Sequence, residues 1–179
     1  LLGVVCHSVS LAYRVTDVPG AREGGLTVLS YDWVDQDSVF AWRYDTKGQK
    51  MFIFSPENNA WAAYDEDGWR VRTGVASGGA DYCRDVGRSC RTPVGLFTVH
   101  RKGNIRCASL TYPLPNGGAA MPMCMFFHKG YAIHGSNDVP DDYHASHGCI
   151  RVDTQAAIWL NQQFIEKGSK VWVLPYPEA

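Results

Sequence analysis

The chain has 179 residues, 45% of them hydrophobic and 20% charged, with a formal net charge of −1. That length suits one ordinary domain with a real core, and the composition excludes the disordered and low-complexity classes. The near-neutral charge removes any electrostatic basis for a nucleic-acid or anionic-membrane partner.

Residues 1–12 resemble the tail of a signal peptide: an apolar run ends in Ser10-Leu11-Ala12, which has the small-x-small form of a cleavage site. Residues 13–38 read as a leader and linker, with the turn-prone run Pro19-Gly20-Ala21-Arg22-Glu23-Gly24-Gly25 and the acidic Asp32, Asp35 and Asp37. The domain is expected over 39–174. Short strand patterns fall at 51–54, 60–64, 69–73, 95–99, 123–127, 131–133 and 170–174, and Asp65-Glu66-Asp67-Gly68 reads as a hairpin turn. Such a series predicts a mainly β sandwich or small barrel. One helix is predicted, capped at Asp153-Thr154, stepping through Ala157, Leu160 and Phe164 and closed by Gly168. No stretch after the leader approaches the roughly 18 apolar residues that span a bilayer, so a soluble mature protein without a membrane span is expected.

The chemistry concentrates in Ser146-His147-Gly148-Cys149-Ile150-Arg151. A thiol near its unperturbed pKa of ~8.5 needs a base or a positive potential to become a thiolate. His134, fifteen positions before Cys149 at the end of a strand, and His147, two before it, are the candidate bases. His147 shares a tight turn with Cys149, which favours His134. Gly148 lets backbone N–H groups approach a reacting carbonyl, and Arg151 offers a two-point grip on a substrate carboxylate. A zinc site of His134, His144, His147 and Cys149 is chemically possible but lacks the usual spacing.

His134-Gly135 followed by Ser146-His147-Gly148-Cys149-Ile150-Arg151 resembles the signature of the L,D-transpeptidase catalytic domain, the YkuD family. Arg91-Thr92-Pro93-Val94-Gly95-Leu96-Phe97 is similar to that family's strand entry. The family often carries Asn where Arg151 stands, with Arg a common variant. The segment 82–90 resembles the enhanced-entry type of protein. The resemblance implies a β-sandwich-like catalytic domain with one substantial helix, acting without metal or organic cofactor. It implies that Cys149 attacks the third residue of a peptidoglycan tetrapeptide stem and releases D-Ala. The resulting thioester passes to a second stem, to an amine of an outer-membrane protein, or to water. By the same resemblance His134 takes the thiol proton, the Gly135 carbonyl orients it, and the backbone of His147, Gly148 and Cys149 holds the oxyanion. Ser146 and Tyr131, with His128, are expected to line the substrate's approach.

Six cysteines are many for a cytosolic protein and indicate an oxidising compartment, periplasmic or secreted. Cys83 and Cys90 lie close enough to close a local loop, which leaves Cys107 and Cys124, although four cysteines allow three pairings. With Cys6 in the leader, Cys149 is then the odd thiol. Arg84, Arg88 and Arg91 read as a solvated face, with steering of stem carboxylates as the alternative. Trp61, Trp69, Trp159 and Trp172 read as core rather than saccharide platforms. Two readings compete with acyl transfer: hydrolysis by the same residues, as an L,D-carboxypeptidase or endopeptidase, and a catalytically silent wall-binding module.

Overall fold

A computed structural model describes residues 39–177, so the expected signal-peptide remnant at 1–12 and the linker at 13–38 lie outside the described residues. Strand β1 (Met51–Ser55) is apolar at four consecutive positions because both of its faces are covered. Phe52 and Phe54 enter one cluster and Met51 and Ile53 another. Strand β2 (Ala60–Tyr64) divides the same way, sending Trp61 onto Phe52, with ring centroids 5.5 Å apart, and Tyr64 to the other side. The Asp65–Gly68 turn forms as predicted. The Asp65 carboxylate accepts from the Trp69 N–H at 2.8 Å, and Gly68 has φ +86° with its α-carbon tight against the Tyr44 carbonyl.

Strand β3 (Arg70–Ser77) follows, then β4 (Gly95–Thr98), β5 (Arg101–Lys102), β6 (Met125–His128), β7 (Tyr131–Ser136), β8 (Ile150–Asp153), helix α1 (Thr154–Trp159) and β9 (Lys170–Val173). The sheet order is β4-β9-β1-β2-β3-β8-β7-β6-β5. Strand β3 is the joint between two leaves: it pairs with β2 along most of its length but with β8 only at Ala76 and Ser77. The leaves close on one core in which Phe52, Phe54 and Trp61 meet Met125, Ile133, Ile150 and Val152. The mainly β, sandwich-like expectation therefore holds.

The helix departs from the prediction. Asp153 caps it, accepting from the N–H groups of Gln155 and Ala156, but the regular helix lasts six residues and continues as a wider π-helical turn, Leu160–Phe164. It ends at Ile165 rather than Gly168, because the Ile165 side chain is drawn into the core and its backbone becomes extended. The Lys102 ammonium closes the end, donating to the carbonyls of Asn161 at 2.5 Å and Ile165 at 2.6 Å. Among the described residues no helix is long and apolar enough to cross a membrane.

Candidate active site

Strands β7 and β8 run parallel with His134 opposite Arg151. Side chains alternate along a strand, so Ala132 and His134 share one face with Cys149 and Arg151, while Ile133 and Ile150 fill the core beneath. Cys149 is the free cysteine among the described residues, because Cys83–Cys90 and Cys107–Cys124 are disulfides. It packs beside Ala132, Met121 and the Cys107–Cys124 bridge and lines a cleft of about 230 Å³ with Tyr131, Tyr112 and Arg88.

The imidazole of His134 is buried, and its Nδ1 lies 2.9 Å from the Gly135 carbonyl oxygen. A carbonyl only accepts, so Nδ1 carries the proton and Nε2 is the bare nitrogen. Burial lowers the His134 pKa, offset by the Gly135 bond and reinforced by the Arg151 charge. Burial also raises the Cys149 thiol above its ordinary value, opposed by the Ala132 backbone and by Arg151. Arg151 is half-buried and pairs with Asp138 at 2.8 Å. A side chain at Gly135 would be tight: a Cβ would lie 3.1 Å from the Thr154 α-carbon and 3.2 Å from the Ala157 Cβ.

The turn before Cys149 is set by Gly148, at φ +119°, where a Cβ would stand 2.3 Å from the Tyr131 ring. Ser146 ties this turn internally. Its hydroxyl accepts from the Gly148 N–H at 2.9 Å and donates to the Cys149 carbonyl at 2.6 Å, so Ser146 shapes the turn and is buried. This corrects two expectations, because the Gly148 N–H is already engaged and Ser146 does not face a substrate. Among the described residues, the N–H groups of His147 and Cys149 meet no internal acceptor. The His147 ring is held elsewhere, bonded through Nε2 to Asp85 at 2.8 Å and stacked on Tyr112 at 4.1 Å.

Other expectations sort themselves by place. His128 stacks on Tyr131, at 5.9 Å between centroids. His144 accepts from the Gly78 N–H and packs on Phe54 and Tyr176, so it does not join the four-ligand zinc set. The metal-like grouping of Cys83, Cys90 and His147 has its two sulfurs spent in a disulfide. Arg88 reaches the cleft, whereas Arg91 pairs with Asp81 at 2.7 Å. Trp61 and Trp172 are core and Trp159 packs against it, but Trp69 is 43% exposed under the Arg43 guanidinium because it stands at the hairpin's outer end. Asp85, Tyr112 and Asp138 escaped the sequence reading. Their contacts with His147 and Arg151 cross between 13 and 62 positions of chain, and no local pattern carries such pairings.

The fold is similar to those of solved L,D-transpeptidases. The one from Xylanimonas cellulosilytica DSM 15894 is 29% identical, with a TM-score of 0.59 over 70% of this chain and 60% of that one. The one from Stackebrandtia nassauensis is 18% identical, with a TM-score of 0.60 over 78% and 62%. L,D-transpeptidase 3 from Mycobacterium tuberculosis, in complex with a faropenem-derived adduct, is 20% identical, with a TM-score of 0.56 over 71% and 60%. The chain thus spans about 60% of the length of these structures. No curated protein sequence matches it. The family model for the L,D-transpeptidase catalytic domain, YkuD, matches residues 48–173, and the chain belongs to that family.

Proposed function

We propose that the protein is a cysteine-dependent acyltransferase that acts on peptidoglycan stem peptides outside the cytoplasm. The observation that carries this reading is Cys149, a free thiol at a cleft, on the same strand-pair face as a buried His134 whose Nδ1 is committed to Gly135. His134 Nε2 takes the thiol proton as sulfur bonds to the carbonyl carbon of the third stem residue. The oxyanion lies against the N–H groups of His147 and Cys149. The tetrahedral centre collapses to a thioester as D-Ala leaves with the proton held by His134. An amine of a second stem then attacks the thioester, with an outer-membrane protein amine or water as the competing acceptors. Arg151 and Tyr131 stand beside the acyl group. The reading needs no cofactor. Two disulfides support placement in the periplasm or another oxidising part of the envelope.

The test incubates the protein with tetrapeptide-stem muropeptides and follows D-Ala release and 3-3 dimers by mass spectrometry. Dimers that vanish in Cys149→Ala are the expected result. Tripeptide monomers alone would convert the reading to hydrolysis, and intact substrate would leave only a silent wall-binding module. Faropenem should add its mass to the protein at Cys149.

A further inference from the structure

A second cleft, of about 590 Å³, opens at the C-terminal ends of β7 and β8. Ser136 and Asp153, register partners on those strands, line it two residues beyond His134 and Arg151. Cys149 lies four residues back along the chain from Asp153, roughly 13 Å at the rise of a strand. His134 and the Arg151–Asp138 ion pair stand between the thiol and this cleft.

The far wall is the open edge of β3. Residues 70–75 of that strand have β2 on one side and no strand on the other, because β8 joins only at Ala76 and Ser77. The Ala76 N–H bonds the Asn59 carbonyl at 2.7 Å, so the alternation of an antiparallel ladder turns the main-chain groups of Thr73 and the Val75 N–H toward the open side, while the Val75 carbonyl faces Asp153 of β8. Both residues line the cleft. Trp61 also lines it, although its side chain is 1% exposed. The indole N–H has no hydrogen-bond acceptor among the described residues. It stays uncovered because position 74 is glycine: a Cβ there would stand 2.7 Å from Nε1. The indole N–H faces the cleft, so an acceptor arriving on a ligand can bond it in place of solvent. Charges of both signs complete the lining: Arg72, resting over Trp159, and the carboxylates of Asp141 and Asp153.

We propose that this cleft seats the amine-bearing peptide that receives the acyl group, an assignment that rests on the acyl-transfer reading above. An extended peptide pairs with Thr73 and the Val75 N–H as an added strand, its carboxylate meets Arg72 and the Trp61 N–H, and its ammonium end meets Asp141 and Asp153. The reacting amine reaches past His134 to the thioester. Its nitrogen bonds to the acyl carbon, its proton passes to His134 Nε2, and that proton returns to the Cys149 sulfur as the C–S bond breaks. The base thus lies on the side from which the amine arrives.

The binding test uses Cys149→Ala protein, labelled with ¹⁵N, and a tripeptide stem carrying a free side-chain amine. The Trp61 indole signal, assigned with Trp61→Phe, should shift saturably as peptide is added. Arg72→Gln and Asp141→Asn on that background should each weaken binding about tenfold, the range of one charge-assisted hydrogen bond. A Trp61 signal that stays put, or shifts confined to Tyr112 and Tyr131, overturns the proposal. In the active protein, Asp141→Asn should lower the ratio of cross-linked dimer to hydrolysed tripeptide about tenfold, and an unchanged ratio overturns the proposal. A wild-type protein that releases no D-Ala while its Trp61 signal still answers the peptide would defeat the acyl-transfer reading and leave the peptide site standing.

Discussion

Burial acts on Cys149 and His134 in opposite directions with one effect. It raises the thiol and lowers the imidazole, so both are neutral near pH 7 in the resting protein. Proton transfer then accompanies attack on the substrate rather than preceding it. Iodoacetamide should accordingly alkylate Cys149 slowly at neutral pH, with the rate still climbing above the range in which an ordinary thiol ionises. The Arg151 guanidinium favours the thiolate, so Arg151→Gln should push that rise to still higher pH. A fast rate, flat between about pH 6 and 8, would instead reveal a preformed thiolate–imidazolium pair. At Gly148 the constraint is steric. Gly148→Ala forces an L residue into φ +119° and drives its methyl into Tyr131. A loss of about 1–3 kcal/mol in urea unfolding, together with lost D-Ala release, is expected. Gly148 was singled out from its place before Cys149, but the reason it must be glycine, a tyrosine seventeen positions upstream, is legible only in the fold.

Among the elements, the short helix carries more than its length suggests. The buried Asn161 side chain donates to the carbonyls of Gly103 and Met123, each at 3.1 Å, and so fastens the π-helical turn to the segment that leads into β6. Met123 adopts φ +58°, an uncommon conformation that this bond helps to hold. Asn161→Ala leaves those carbonyls short of a donor and should cost about 1–3 kcal/mol, read as a lower urea midpoint with the slope unchanged. The helical periodicity of Ala157, Leu160 and Phe164 was visible in the sequence, and all three are core. The helix end was not visible, since burial of Ile165 decided it. Strand β8 was also missed. Ile-Arg-Val-Asp is too short to show a period and runs directly into the Asp153 cap.

Over the whole molecule, the order of strands along the chain differs most from their order in space. Strand β9, nearly last in sequence, lies between β4 and β1, parallel to one and antiparallel to the other, with Val171 and Val173 in the core. A chain ending at Ser169 exposes both neighbouring edges and opens the core. It should show no cooperative unfolding transition, checked by near-ultraviolet circular dichroism and thermal melting. A truncated chain that melts sharply near the parent temperature would show that β9 is an accessory. The sequence by itself determined the mainly β class, most of the strands and the Cys149 motif, because alternation, turn residues and a contiguous signature are local. It also paired the cysteines correctly, although spacing alone left other pairings open. Tertiary structure alone decided that Ser146 turns inward, that Asp85 and Tyr112 occupy His147, and that β3 keeps an open edge beside Trp61. Each of these depends on which distant strand lies alongside, and the parallel and crossover pairings that settle it leave no periodic mark on the chain.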